Sequence, residues 1–128
     1  MIIIVDSYAW IEYFMGSKKG EKVVELLENK NYEFLTLECC LAEIKTWSIR
    51  NGQDFDKLYP IIRSNSTVIR VIEQDWILAA EIRIGCQKKG KDLGLIDACI
   101  LAVQNRLSTQ VLSGDKHFKD MPKTIFLS

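Results

Sequence analysis

The strongest constraint on the fold of this chain is the apolar run from Ile2 to Val5, in which polar and apolar residues do not alternate. A strand with one face in water alternates between the two, whereas a strand covered on both faces is apolar throughout. Strands of the second kind are usually parallel and lie between layers of helices. The run therefore predicts a buried parallel strand with Asp6 at its carboxyl end.

Patterns typical of strands and helices alternate along the rest of the chain. Strands are predicted at residues 2–5, 34–37, 67–72, 109–112 and 124–127. Helices are predicted at residues 19–28, 38–50, 54–63, 74–88 and 95–107, after a first helix that Ser7 caps and Gly16-Ser17 ends. This alternation predicts an α/β fold of stacked layers around a mostly parallel sheet.

Composition limits the classes to which the chain can belong. Its 128 residues, 48% hydrophobic and 27% charged, predict one globular domain over residues 1–128. No segment has the length and apolarity of a membrane span or a secretion signal, so a cytoplasmic location is expected. The 17 basic and 17 acidic residues cancel, so any surface that binds nucleic acid must be local. Four cysteines without paired spacing and a single histidine favour reduced, buried thiols over disulfides or zinc.

Two aspartates follow predicted strands. Asp6 ends the first strand, and Asp115 lies in the Ser-Gly-Asp sequence after the fourth. Because ligands of open α/β sheets bind outside the carboxyl ends of the strands, both carboxylates are expected at that edge. Taken singly, each is more typical of an ordinary polar turn.

Two further acids lie on predicted helices near apolar residues. Glu43 falls beside an apolar stripe that contains Cys40 and Ile44, where a boundary salt bridge is the alternative. Asp97 lies within LGLIDACILAV, where an ionised carboxylate is costly unless a partner compensates it. The alternative for Asp97 is a first-turn acid that satisfies free backbone N–H groups. A cluster of all four acids would be tolerable only with protonation or a bound cation, and carboxylate oxygens suit Mg²⁺ or Mn²⁺.

These motifs resemble those of the PIN domain, and more narrowly those of the VapC-type toxins of bacterial and archaeal toxin–antitoxin pairs. The resemblance rests on Asp6-Ser7 after the first strand, Glu43 in the third helix, and the segments DACILAVQNRL and VLSGDKHF. It implies a three-layer PIN-like fold with a mostly parallel five-stranded sheet, and a Mg²⁺- or Mn²⁺-dependent endoribonuclease that hydrolyses RNA. It also implies a homodimer and a cognate antitoxin as partner.

Carried over to this chain, the resemblance gives the acidic quartet Asp6, Glu43, Asp97 and Asp115. The three aspartates are expected to hold the metal, and Glu43 to orient the attacking water or complete a second metal site. Ser7 and Ser113 are expected to support the site, the latter through its hydroxyl group.

Two groups of lysines are candidate RNA contacts, although lysines in a turn are more often simply solvated. They are Lys18, Lys19, Lys22, Lys88, Lys89 and Lys91. His117 is a candidate general base, but water activated by a metal needs none, so DKHF is interpreted as a loop in which Phe118 packs inward. The aromatic residues Trp10, Tyr13 and Phe14 are interpreted as core or dimer packing.

The main alternative function is a non-catalytic module of the same fold that binds RNA or a protein, which metal dependence would separate from an enzyme. A DNA-directed nuclease of the same fold is a further alternative. Signalling receiver domains and Asp-x-Asp phosphatases also gather acids at strand ends. They are disfavoured here because Asp6 is followed by Ser7-Tyr8, without the second acid that those sites require.

Overall fold

A computed structural model describes residues 1–128 and contains five strands and six α-helices. The strands are β1 (Ile2–Val5), β2 (Glu33–Leu37), β3 (Thr67–Ile69), β4 (Gln110–Ser113) and β5 (Thr124–Phe126). The helices are α1 (Ser7–Met15), α2 (Lys18–Leu27), α3 (Glu38–Arg50), α4 (Phe55–Asn65), α5 (Glu73–Lys88) and α6 (Leu95–Leu107). A short 3-10 helix, Lys116–Phe118, follows β4.

The five strands form one sheet in the order β3-β2-β1-β4-β5, and every neighbouring pair is parallel. Ile4 of the central strand is in register with Leu35 on one side and Val111 on the other. The chain builds outward from β1 in one direction through β2 and β3, and in the other through β4 and β5. The reversal therefore lies between β1 and β4, and it opens a crevice at their carboxyl ends.

The apolar character of β1 follows from cover on both of its faces. Ile3 and Val5 pack with Trp10 of α1 on one face. Ile4 packs with Ile100 of α6 on the other. All of these side chains are buried, so a polar residue at any of the three β1 positions would be desolvated without a partner.

Helices α1 and α2 pack closely because Gly20 of α2 lies against the backbone of α1. A Cβ atom at this position would overlap the carbonyl oxygen of Glu12. Trp10 contacts Tyr13 and Phe14, with ring centroids 5.6 and 5.9 Å away, so these aromatic residues serve core packing as predicted. No helix combines the length and apolarity that crossing a membrane requires.

Apart from shifts of one or two residues at the ends of elements, the structure differs from the sequence predictions in the following details. Asp6, not Ser7, caps α1, and Ser7 is the first helical residue. Strand β3 ends at Ile69 rather than at residue 72, because Val71 packs into the core and the N–H group of Ile72 already donates to the first turn of α5. All four cysteines are free, but only two are buried; Cys39 and Cys86 are half-buried.

Candidate metal centre

Asp6 lies at the floor of the crevice between β1 and β4. Its side chain is buried, and one carboxylate oxygen accepts a 2.8 Å hydrogen bond from the N–H group of Ala9. Burial raises the pKa of Asp6 to about 7, and repulsion from Asp97 and Asp115 adds to this effect. Hydrogen bonds from Ser113 and Ala9 partly oppose it by favouring the charged form. The floor of the crevice therefore holds a carboxylate that a nearby cation would stabilise.

Asp97 faces Asp6 from the first turn of α6, with 19% of its side chain exposed. Burial raises its pKa to about 6, and the negative charges of Asp115 and Glu43 raise it further, whereas His117 lowers it. The carboxylate is thus disfavoured in its charged form by its neighbours as well as by burial. A divalent cation between these acids would favour the charged form of Asp97 and so oppose the effects of burial and of the neighbouring negative charges.

Asp115 completes the group from the segment after β4. One of its oxygens accepts a 2.9 Å hydrogen bond from the N–H group of His117 and caps the 3-10 helix. Its own N–H group donates to the hydroxyl oxygen of Ser113 at 3.0 Å. Ser113 is fully buried and also supports Asp6, so its hydroxyl group links the acids at the ends of β1 and β4.

His117 lies between two of these acids, which sequence analysis did not foresee. Its Nδ1 atom is 3.2 Å from Oδ1 of Asp115 and 3.4 Å from Oδ2 of Asp97. The three side chains offer ligand atoms that all lie within 4.8 Å of one another. Phe118 is buried as predicted, and its anchoring turns the preceding histidine toward the acids. The sequence contained one signal for this position. His117 is only two residues from Asp115, and so short a segment keeps the two residues close together.

Glu43 lies further out, on the exposed flank of α3. Its Oε1 atom accepts a 2.8 Å hydrogen bond from the hydroxyl group of Ser7. The neighbouring stripe residues Cys40 and Ile44 are buried, as the helical pattern predicted. Glu43 acts on Asp97 through its charge rather than through contact. The structure thus brings Asp97, Asp115 and His117 into one tight group, with Asp6 beneath it and Glu43 at its rim.

The donor chemistry of this group fits a divalent cation. Carboxylates with pKa values raised by burial and mutual repulsion gain the most from a bound positive charge. Oxygen ligands suit Mg²⁺, which needs few protein ligands because it keeps several waters. Asp6, Asp97 and Asp115 are therefore the residues that would hold it.

The candidate lysines lie at the same edge of the sheet. Lys19 donates a 2.9 Å hydrogen bond to the hydroxyl group of Tyr8, and Lys22 donates to the carbonyl oxygen of Ser128 beyond β5. Tyr8 rests on Gly114, next to Asp115, because a Cβ atom at Gly114 would overlap its ring. Lys18 is exposed beside them. A second group of three occupies the end of α5 and the turn that leads to the first turn of α6: Lys88, Lys89 and Lys91.

A parallel sheet with carboxylates gathered at its strand-order reversal defines a class of α/β proteins with an acidic cluster at the carboxyl ends of the strands. A sequence model of the PIN domain family matches residues 3–124. The chain therefore belongs to the PIN domain family, which confirms the resemblance read from the motifs. Among curated proteins, no match to the sequence was found.

Several solved structures share the fold. VapBC2 from Rickettsia felis, bound to a DNA fragment from its promoter, is 19% identical with a TM-score of 0.76, over 98% of this chain and 97% of that chain. VapC20 from Mycobacterium tuberculosis, a Sarcin-Ricin loop cleaving toxin, is 17% identical with a TM-score of 0.77, over 94% and 95%. A toxin–antitoxin complex from Klebsiella pneumoniae is 16% identical with a TM-score of 0.75, over 98% of both chains. The PIN fold expected from sequence is therefore confirmed.

Proposed function

We propose that this protein is a metal-dependent endoribonuclease that hydrolyses RNA phosphodiester bonds, and that it is the toxin of a type II toxin–antitoxin pair. The observation that carries the proposal is the group formed by Asp97 and Asp115 above the buried Asp6, at the strand-order reversal of a PIN fold. One structural neighbour is described as a toxin that cleaves the Sarcin-Ricin loop, which supports RNA as the substrate class.

Hydrolysis of a phosphodiester requires a water in line with the leaving oxygen and compensation of the negative charge that grows on the phosphoryl oxygens. A divalent cation, when bound, supplies that compensation and makes water a better nucleophile. Asp6, Asp97 and Asp115 hold the cation in this account. Mg²⁺ or Mn²⁺ fits their oxygens.

Glu43 orients the attacking water. Its hydrogen bond from Ser7 fixes one carboxylate oxygen and leaves the other free to accept a hydrogen bond from the attacking water. A groove between α1 and α3 opens beside it and is lined by polar and apolar side chains, among them Trp47 and Arg50. We infer that an RNA strand lies along this groove, with Arg50 against a phosphate.

The two lysine groups would neutralise further phosphates of the RNA. Lys19 is held in place by Tyr8, whereas the lysines of the α5–α6 turn are free to follow the strand. Their contribution is to affinity along the RNA backbone rather than to the choice of sequence. The groove and the lysines together support a substrate longer than a single nucleotide.

We also propose that the whole chain is a single PIN domain that forms a homodimer, binds a cognate antitoxin protein and acts in the cytoplasm. Structural neighbours that are toxin–antitoxin complexes support the antitoxin. Exposed apolar residues on α5, including Trp76, Ile77 and Ile84, offer a surface for contact with a second protein chain.

The test is to map new RNA 5′ ends in cells that express the wild type, Asp97→Asn or Asp92→Asn. Asp92 is an exposed acid close to Asp97 in sequence, so its substitution is a matched control for loss of one charge. New ends should accumulate with the wild type and with Asp92→Asn and be absent with Asp97→Asn. The proposal fails if the wild type produces no new ends, or if Asp97→Asn produces the same ones.

A further inference from the structure

The position of His117 implies more than a metal held by oxygen atoms. We propose that His117 supplies, through Nδ1, a nitrogen ligand to the cation held by Asp97 and Asp115, and that this nitrogen gives the site a preference for Mn²⁺ over Mg²⁺. The inference rests on the metal centre of the proposed function and names one further ligand and the class of metal that it selects.

The distances match neighbouring ligands of one octahedral ion. Ligands that bind at about 2.0–2.1 Å and meet at right angles are about 3 Å apart, and a larger ion sets them slightly further apart. Nδ1 of His117 lies 3.2 Å from Oδ1 of Asp115 and 3.4 Å from Oδ2 of Asp97. The three atoms therefore lie within reach of a single cation.

Nδ1 also lacks a hydrogen-bond partner. The atom is shielded from solvent, and neither carboxylate lies in a direction that completes a hydrogen bond with it. A buried polar atom left without a partner is costly and uncommon, so its lone pair is available for a ligand. Ligand atoms of Asp97, Asp115 and His117 all lie within 4.8 Å of one another, so three electron-rich atoms share a small volume in which a positive charge is favoured.

Residues before and after His117 in the chain hold its ring in this position. The N–H group of His117 donates to Asp115, which fixes the histidine backbone to the acid beside which its ring lies. Phe118 is fully buried in the core formed with α6, which anchors the 3-10 helix. The ligand atom is thus presented by a fixed turn rather than by a mobile loop.

The identity of the ligand atom sets the selectivity. Mg²⁺ is a hard ion that favours oxygen and dehydrates reluctantly, whereas imidazole nitrogen suits transition metals. Replacing one oxygen or water ligand by nitrogen therefore gains more for Mn²⁺ than for Mg²⁺. The rival arrangement is a protonated His117 that only pairs with the two acids and leaves the metal with oxygen ligands.

Pulsed electron paramagnetic resonance of bound Mn²⁺ separates these arrangements, because a directly bound nitrogen modulates the electron spin echo. His117 is the only histidine, so labelling histidine with ¹⁵N changes a single site. We expect strong ¹⁴N modulation in the wild type, conversion to the ¹⁵N pattern on labelling, and loss of the signal in His117→Gln with Mn²⁺ still bound. Bound Mn²⁺ without nitrogen modulation overturns the nitrogen ligand while leaving the acidic metal site intact.

Metal affinities give a second readout that does not depend on cleavage. His117→Gln should weaken Mn²⁺ binding by about tenfold or more and change Mg²⁺ binding much less. Asp120→Asn, which removes an exposed charge from the same segment, should leave both affinities unchanged. Equal losses for the two metals in His117→Gln contradict the selectivity. If the wild type binds neither metal, both this inference and the proposed function fail.

Discussion

The carboxylate of Asp6 accepts a 2.8 Å hydrogen bond from the backbone N–H group of Ala9, so the acid that ends β1 also begins α1. The side chain of Asp6 therefore caps a helix and is also one of the acidic side chains of the candidate metal centre. The cap needs an oxygen acceptor but no charge, whereas cation binding needs the charge. Substitutions of Asp6 can separate these roles.

Asp6→Asn keeps the cap and removes the charge, so the metal-free variant at pH 8 should be more stable than the wild type. Asp6→Ala removes both, and loss of the cap should cost about 1 kcal/mol relative to Asp6→Asn. Both variants should lose stabilisation by Mg²⁺. Urea unfolding with a chelator and then with excess Mg²⁺ measures each effect. Equal metal-free stability of the two variants would mean that the cap contributes nothing.

The raised pKa values predict a pH dependence of the metal-free protein. The pKa of Asp6 rises from an ordinary value of 3.8 to about 7, and that of Asp97 to about 6. The folded state therefore binds more protons than the unfolded state between these values, and stability falls as pH rises. The stabilising contribution of protonated Asp6 is fully present below pH 3.8 and is lost as the pH rises to about 7. The corresponding contribution of Asp97 is lost as the pH rises to about 6.

The measurement is the difference in unfolding free energy between wild type and Asp97→Asn at several pH values, with a chelator present. Taking the difference cancels carboxyls elsewhere, such as Asp75, whose pKa is lowered and whose contribution is lost in acid instead. The variant should gain stability relative to the wild type as pH rises from 4 through about 6, and the difference should become constant above about pH 7, where Asp6, which Asp97 repels, is also charged. A flat difference across this range would exclude the unfavourable charge at Asp97.

Arg106 of α6 binds both oxygens of Asp75 of α5, each at 2.8 Å, and the side chain of Asp75 is only 2% exposed. Arg106→Met leaves the buried carboxylate of Asp75 without its partner, and because 34% of the Arg106 side chain is exposed, the loss of stability should be about 1–3 kcal/mol. The pair Glu38–Arg70 is the control, since it is exposed and 3.8 Å long. Arg70→Met should cost less than about 1 kcal/mol in the same denaturant titration. Similar losses of stability for Arg106→Met and Arg70→Met would contradict the expected difference between an ion pair whose acid is buried and an exposed ion pair.

Replacement of glycine by alanine is expected to have opposite effects at Gly20, which lies in the close contact between α1 and α2, and at Gly85. Gly20→Ala forces a Cβ atom into the backbone of Glu12 and should destabilise the protein by about 1–3 kcal/mol. Gly85, within α5, has open space around it, so Gly85→Ala should stabilise by roughly 0.5–1 kcal/mol. Thermal unfolding of both variants tests this sign reversal, and destabilisation by Gly85→Ala would contradict it.

The parts of the fold that depend on short segments could be predicted from the sequence. The apolar run before Asp6 predicted a central parallel strand, because a strand covered on both faces has apolar residues at consecutive positions. Once the strands were parallel, Asp6 and Asp115 had to reach the same edge of the sheet. Asp97 was identified as unusual because a carboxylate in an apolar helix needs compensation.

The parts that depend on tertiary placement could not be predicted. Asp6 and Ser7 both have side chains that cap helices well, and the choice of Ser7 from the pattern was wrong. Nothing in the sequence placed the ring of His117 beside Asp97, because that contact depends on how the 3-10 helix meets α6. The bond between Asp75 and Arg106 spans 31 residues and joins two helices whose pairing only the fold reveals.

Thermal unfolding with and without Mg²⁺ or Mn²⁺ determines whether the acids form a metal site, and it needs no RNA substrate. At a metal concentration 100 times the dissociation constant, the wild type should gain about 2.7 kcal/mol. Asp92→Asn should gain the same amount, and Asp97→Asn should lose the gain. No gain in the wild type, or an equal gain in Asp97→Asn, would contradict the metal site and favour a non-catalytic binding module of the same fold.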